Sequence, residues 1–148
     1  MALAKGTRAK PKPVNNCRFD KIDGGMWGRW SRDRRWRCLI PAERFAEAVG
    51  EKGRMTTTWM HVADQPLFAW AGLWRPADEA TDWPASFTGV MTDNSPAFAH
   101  VHHRLPVILK PDEWDLWLTG SLDDIKRLDR PYLELREDAT DTLWAARA

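Results

Sequence analysis

The sequence predicts an α+β fold in which a mostly antiparallel β-sheet or barrel carries a few short helices. Three observations support this class. Short runs of β-branched and aromatic residues recur at close intervals along the chain. Turn-forming stretches such as Asp64-Gln65-Pro66 separate these runs, which is typical of antiparallel strands. Helix start and stop signals are few, and the segments that they enclose are short.

The strand signals define five segments, each an apolar or β-branched run bounded by turn residues. The predicted strands are 37–41, 55–62, 67–74, 86–92 and 105–109. A first helix is expected at 111–118, where Pro111 opens the segment and Gly120 follows its end. A second is expected at 121–127, because Ser121 and Asp124 form a near capping box. A short helix near 26–31 completes the prediction.

The length of 148 residues fits a single domain, which we place at 16–135. Residues 1–15 are polar, basic and interrupted by two prolines, so they predict a flexible basic arm. Residues 136–148 are expected to form a C-terminal tail or a short helix. No internal repeat divides the chain further.

Charge is distributed unevenly along the chain. The formal net charge is only +1, but residues 1–38 contain 11 Lys/Arg and 3 Asp/Glu, whereas the rest contains 11 and 18. A basic segment next to an acidic remainder favours an acidic partner such as nucleic acid. A solvated basic tail explains the same asymmetry and stays open as an alternative.

The composition excludes several protein classes. Cys17 and Cys38 show neither a metal-ligand spacing nor the pattern of a secreted disulfide framework. The first residues lack the apolar run of a signal peptide, and no stretch approaches the ~18 apolar residues of a membrane span. We therefore expect a cytoplasmic protein without a membrane partner, and no cofactor is indicated.

Glu47 is the first candidate for chemistry. It follows the predicted strand that ends at Pro41, and its neighbours in sequence are Phe45, Ala46, Ala48 and Val49. A carboxyl group in apolar surroundings has a raised pKa, which suits a general acid or base near neutral pH. A solvated glutamate on a helical turn is the alternative.

A second candidate region holds three histidines and an arginine, at 100, 102, 103 and 104. Histidine transfers protons near neutral pH, and the fork of Arg104 suits a phosphate. A metal site is disfavoured because no carboxylate or cysteine lies at a ligand spacing nearby. We therefore predict an acid/base role for His102 and a DNA contact for Arg104.

Tryptophan is unusually abundant, with 10 residues against 5 Phe and 1 Tyr. Most are expected to fill the core, but several alternate with arginines before the first predicted strand. Trp30 and Trp36 could stack on unpaired bases there, while Arg34 and Arg35 contact phosphates.

Five sequence blocks, in order, resemble the SOS response-associated peptidase (SRAP) family. They are Cys38-Leu-Ile-Pro-Ala with Phe45-Ala-Glu47, Phe68-Ala-Trp-Ala-Gly-Leu-Trp74, Phe87-Thr-Gly-Val-Met-Thr92, His102-His-Arg-Leu-Pro-Val-Ile-Leu109 and Glu113-Trp-Asp-Leu-Trp-Leu118. The resemblance covers roughly residues 14–120. It implies a mostly β fold with a basic cleft for single-stranded DNA and a cysteine, exposed after removal of the initiator Met, that captures abasic sites as a thiazolidine. By the same resemblance Asn16, Arg18, Glu47 and His102 would belong to the site.

The sequence also departs from that family. Residue 2 is Ala rather than Cys, and only 15 residues precede Asn16, so the usual N-terminal strand region is expected to be absent. Cys17 has no free α-amine with which to close a thiazolidine. We therefore expect binding of single-stranded and abasic-site DNA without covalent capture. An active crosslinking enzyme or peptidase whose true N-terminus is missing, and a non-catalytic remnant, remain alternatives.

Overall fold

The computed structural model describes residues 14–81 and 83–144, with the side chain of residue 81 excepted. Nearly all of the predicted arm at 1–15 therefore lies outside the described residues. Nine strands and three short α-helices occupy the described part. The strands are β1 Asn16–Arg18, β2 Arg37–Ala42, β3 Phe45–Val49, β4 Thr56–Val62, β5 Phe68–Arg75, β6 Ser86–Asp93, β7 Arg104–Pro106, β8 Ile108–Leu109 and β9 Leu135–Leu143. The helices are α1 Gly28–Arg32, α2 Trp114–Thr119 and α3 Leu122–Ile125.

The fold class is confirmed: the protein is α+β, with two mostly antiparallel sheets and few helices. Within the described residues the sheets stay open and form no closed barrel. In the first sheet the order is β1-β6-β5-β2, with β7 paired to β6 and β8 paired to β5. Strand β1 is parallel to β6, and the other pairs are antiparallel. Strands β3, β4 and β9 form the second sheet.

The C-terminal segment differs from the prediction. Residues 136–143, expected as a tail or a short helix, continue strand β9, which pairs antiparallel with β4. Its acidic sequence carries little strand signal, so pairing with β4 rather than local propensity determines its conformation. Strand β2 likewise passes through Pro41, which pairs with Ala69, instead of ending there. Among the described residues β2 is an edge strand, where a missing N–H is tolerated.

Two hydrophobic cores lie against the sheets. The first contains Cys17, Ala71, Leu73 and Val90, and the helical segments cover it through side chains such as Trp117. The second lies between the two sheets and contains residues from both. Its buried members include Met60, Val62, Phe68, Leu105, Ile108 and Leu135. No helix in the part of the chain described is long and apolar enough to cross a membrane.

Buried Arg37 fixes the helices to the first sheet. Its Nε donates to the carbonyl of Ser31 at 2.9 Å, and its Nη1 donates to the carbonyls of Trp117 and Gly120 at 3.0 and 2.7 Å. Burial lowers the pKa of this guanidinium, aided by the nearby charge of Arg34. Three carbonyl partners offset the cost of the buried charge and hold α1 and the end of α2 together.

On the opposite face of the first sheet, Trp70 lies against glycine. Its Nε1 donates to the carbonyl of Val90 at 2.7 Å. A Cβ at Gly89 would lie 2.1 Å from the ring, and one at Gly72 would lie 2.6 Å from Ile40. These two glycines face each other across β5 and β6, so the side chains of neighbouring residues lie close to the sheet.

We predict that Gly89→Ala destabilises the fold, because the added methyl would overlap the Trp70 indole and force it to move. Overpacking of this kind costs about 1–3 kcal/mol in the free energy of unfolding. Urea unfolding measures it. Gly24→Ala is the control, since nothing lies within 4 Å of a Cβ there. Equal unfolding midpoints for the two variants would contradict the packing role of Gly89.

Candidate functional site

Glu47 lies on β3, on the side of the second sheet that faces the interior. Phe45 and Val49 share that face and pack against the second core. Thr58, directly opposite on β4, is buried. Loss of solvent raises the pKa of the Glu47 carboxyl, while the charge of His102 opposes the rise. The glutamate is therefore half-buried on a strand beside an imidazole, and it does not lie on a solvated helical turn.

His102 is positioned by the backbone that leads into β7. Its Nδ1 lies 2.9 Å from the carbonyl oxygen of Arg104 and 3.2 Å from the amide nitrogen of the same residue. The amide of Asn94 donates to the carbonyl of His102 at 2.6 Å and to that of Phe98 at 2.8 Å, which holds the loop closed. The ring of His102 also packs against that of His103, with centroids 4.3 Å apart. These contacts fix the orientation of the imidazole.

Two arginines lie at the same edge of the molecule. Arg104 pairs in register with Asp93, and its Nε lies 3.9 Å from the carboxylate. Arg18 forms two hydrogen bonds to Asp20, at 2.8 and 2.6 Å, and its side chain is largely exposed. The charges of His102, Arg104 and Arg18 together lower the pKa of exposed His103. The predicted residues Arg18, His102 and Arg104 therefore all lie near enough to His103 for their charges to act on it.

Asn16 is two residues before Arg18 on β1, so the two side chains share a face of the first sheet. That face is opposite to the one on which Cys17 is buried. Asn16 is exposed and lies beside Gly89 of β6. It therefore borders the same open face as Arg18.

The remaining predicted residues lie elsewhere. Arg34, Arg35 and Trp36 form a 3₁₀ turn before β2, whereas Glu47 comes after the end of that strand. Because β2 has six residues, about 17 Å of extended chain separates the two groups. The Trp36 ring meets Trp30 edge to face at 5.4 Å and Trp74 at 5.1 Å. The arginine-tryptophan group is thus a separate cluster at the opposite end of the sheet.

Sequence reasoning missed two aromatic residues, Trp74 and Phe87. They face each other across β5 and β6, and both are exposed. No local signal marked Trp74, because β5 is apolar almost throughout and its one charged residue, Arg75, is buried while Trp74 is exposed. The pairing with β6 could not be read from the sequence.

Neither cysteine is placed as a nucleophile. Cys17 is fully buried, and burial raises its pKa to about 12. Cys38 is half-buried, and burial raises its pKa to about 11. Both thiols are therefore protonated at neutral pH, and the thiolate is the reactive form. The described residues also contain no group of three His, Cys, Asp or Glu side chains arranged to hold a metal ion.

The fold and this edge define a two-sheet α+β protein with a carboxyl-imidazole pair beside two arginines. The family model for the SOS response associated peptidase (SRAP) matches residues 2–143. The chain therefore belongs to the SRAP family. Among curated proteins, none matches the chain significantly.

Solved bacterial structures resemble the chain. A protein from Bacteroides thetaiotaomicron is 25% identical, with a TM-score of 0.74. The match spans 84% of this chain and 57% of that protein. A protein from Bordetella bronchiseptica is 26% identical, with a TM-score of 0.72, and the match spans 84% of this chain and 64% of that protein. A phage-related protein from Bordetella bronchiseptica shares the fold with a TM-score of 0.65. It is 22% identical, and the match spans 86% of this chain and 63% of that protein. The chain thus spans less than two thirds of each of these structures.

We predict that Glu47→Gln raises the melting temperature at neutral pH. The pKa of Glu47 is higher in the fold than in the unfolded chain, so the folded state loses stability as pH rises through the folded pKa. Glutamine removes this loss, and a gain on the order of 1 kcal/mol would raise Tm by about 2–4 °C.

The Tm difference should vanish below about pH 4, where Glu47 is protonated in both states. Thermal unfolding followed by circular dichroism at several pH values measures it. Exposed Glu79→Gln is the control and should show no such trend. A Glu47→Gln variant that is less stable at neutral pH would show that the ionised carboxylate stabilises the fold.

We predict that Cys17 does not react with a thiol reagent in the native protein at neutral pH, because it is inaccessible and protonated. Cys38 should react slowly, and both should react rapidly in denaturant. Ellman's reagent with the Cys17→Ser and Cys38→Ser variants assigns each reaction. Rapid native labelling of Cys17 would contradict its burial.

Proposed function

We propose that this chain binds single-stranded DNA containing abasic sites, as part of the response to DNA damage, without covalent capture. The observation that carries the proposal is that half-buried Glu47 lies close enough to His102 for the imidazole charge to act on its carboxyl, with Arg18 and Arg104 near the same histidines. A carboxyl-imidazole pair suits the sugar of an abasic site, whose ring-opened form exposes an aldehyde and hydroxyl groups. The arginines suit the flanking phosphates, and family membership supports DNA as the partner.

The arginines would set the position of the DNA backbone. Arg18 uses its Nε and one terminal nitrogen on Asp20, so its other terminal nitrogen is free for a phosphate oxygen. The nearest carboxylate to Arg104, that of Asp93, is 3.9 Å away, which is too long for a strong hydrogen bond. A phosphate would therefore compete well for Arg104. Asn16 borders the same face and would orient the strand.

Glu47 and His102 would hold the sugar. The raised pKa of Glu47 favours a protonated carboxyl that can donate to a sugar oxygen. The Nδ1 of His102 is engaged by the Arg104 backbone, so Nε2 is the atom left to contact a ligand. Both groups can also move a proton, which an aldehyde needs when it opens and closes its ring.

Covalent capture is not part of the proposal, because of where the cysteines lie. A thiazolidine needs a thiol and an amine on the same residue. Both cysteines of the sequence lie within the chain, where their nitrogens form peptide bonds, and both are protonated thiols. Arg34, Arg35, Trp30 and Trp36 would contact DNA outside the abasic position, at the other end of the sheet.

We predict that Arg18→Ala combined with Arg104→Ala lowers the affinity for an abasic single-stranded oligonucleotide. Each lost phosphate contact should reduce the slope of log K against log salt by about 0.7. Fluorescence anisotropy from low to moderate salt measures both quantities. Arg136→Ala is the control, because this exposed arginine lies on the outer face of the second sheet.

The same oligonucleotide tests the absence of capture. After incubation, a denaturing gel should show no covalent band. A covalent band would favour the alternative of an active crosslinking enzyme. Affinity that does not depend on salt, or no affinity at all, would overturn the proposal and leave a non-catalytic remnant as the better description.

A further inference from the structure

We propose, resting on the function proposed above, that Trp74 and Phe87 form a platform on which unpaired DNA bases stack. The two residues are directly opposite each other on β5 and β6, so their side chains project from the same face of the first sheet. Phe87 is 63% exposed and Trp74 is 39% exposed. A neighbouring pair of exposed aromatic rings on a sheet marks a binding surface rather than a core.

The second sheet covers only one end of this face. Trp70, at the covered end, packs against the second core between the sheets. Trp74 is four residues further along the same strand and lies on the same face, but it belongs to neither core. The platform is therefore where the covering layer stops, outside the candidate site and beside Trp36.

The surface between the platform and the site is formed by side chains that cover two glycines. Gly72 and Gly89 are opposite each other, two residues along the strands from Trp74 and Phe87 and on the same face, and neither has a side chain. The indole of Trp70 lies over Gly89, while Ile40 and Cys38 lie against Gly72. Both glycines are buried beneath these side chains, so a strand that passes from the platform towards the site would run over Trp70 and Ile40.

The Trp74 ring is held in place before any ligand binds. Its Nε1 donates to the carbonyl of Arg35 at 2.9 Å, and its ring meets Trp36 edge to face. A ring fixed in this way loses little conformational freedom on binding. Its hydrogen bond also connects the platform to the exposed arginine cluster at 34 and 35.

Charge identifies the occupant. Arg34 and Arg35 are exposed at one end of the face, and Arg18 and Arg104 lie at the other. A chain of phosphates with unpaired bases between them matches cations at both ends of the face and aromatic rings beside one of those ends. A second copy of this chain would bring like charges together, so self-association through this face is disfavoured.

The test compares two polymers of equal charge: a 12-mer of thymidine, and a 12-mer deoxyribose-phosphate backbone that carries no bases. Phe87→Ala should weaken binding of the thymidine 12-mer roughly 5- to 20-fold, as for the loss of one stacking contact. Binding of the base-free backbone should not change. Phe87→Trp should retain the affinity for thymidine, whereas Phe87→Leu, which is apolar but cannot stack, should lose it.

Leu133→Ala removes another exposed apolar side chain and should leave both affinities unchanged. Equal affinities of wild type and Phe87→Ala for thymidine, with Arg18→Ala and Arg104→Ala still weakening both polymers, would overturn the platform and keep the proposed function. No binding of either polymer by the wild type would overturn both. Light scattering that shows wild-type dimers broken by Phe87→Ala would instead assign this face to self-association.

Discussion

Strand β5 is the element on which the rest of the structure depends, because its two faces serve two different cores. Ala69, Ala71 and Leu73 enter the first core, and Phe68 enters the second. β5 also pairs with three strands, β2, β6 and β8. A shift of one residue in its register would move every β5 side chain to the opposite face, so packing in both cores favours the same register. This pairing also determines where the candidate site and the arginine-tryptophan cluster lie, because they are found beyond opposite ends of the paired β2 and β5 strands.

Two ionisable groups, buried Arg37 and half-buried Glu47, show how the ends of the sheet differ. Desolvation lowers the pKa of Arg37 and raises that of Glu47. Burial of the charged form therefore costs folding free energy at both residues. Arg37 recovers the loss through three backbone carbonyls, which makes it part of the framework. Glu47 has only the charge of a nearby histidine to oppose its shift. A titratable group whose charged form is desolvated without compensating hydrogen bonds is typical of a functional position rather than a structural one.

The sequence predicted the strands with strong local signals, since β4, β5 and β6 fall within one residue of the expected bounds. It missed β3 and β9, whose alanines and acidic residues have low β propensity and which form strands only because β4 lies beside them. The meeting of Glu47 with His102 depends on how two sheets pack, which no local pattern encodes. Arg35 and Glu47 are close in sequence, yet the extended strand between them carries them to opposite ends of the sheet. The residues predicted to act on or contact DNA therefore lie in two separate clusters.

The electrostatics of the site indicate which groups supply positive charge to a ligand. His103 is the most exposed ring beside the pair, but neighbouring cations lower its pKa, so its neutral form is favoured near neutral pH. The charge of His102 partly offsets the effect of burial on the pKa of Glu47. Arg18 and Arg104 supply guanidinium groups, the side chains best suited to bind a phosphate through two hydrogen bonds. In the function proposed here, attraction of a phosphate would therefore depend on the arginines, while Glu47 and His102 would exchange protons with the sugar that the phosphates bring into the site.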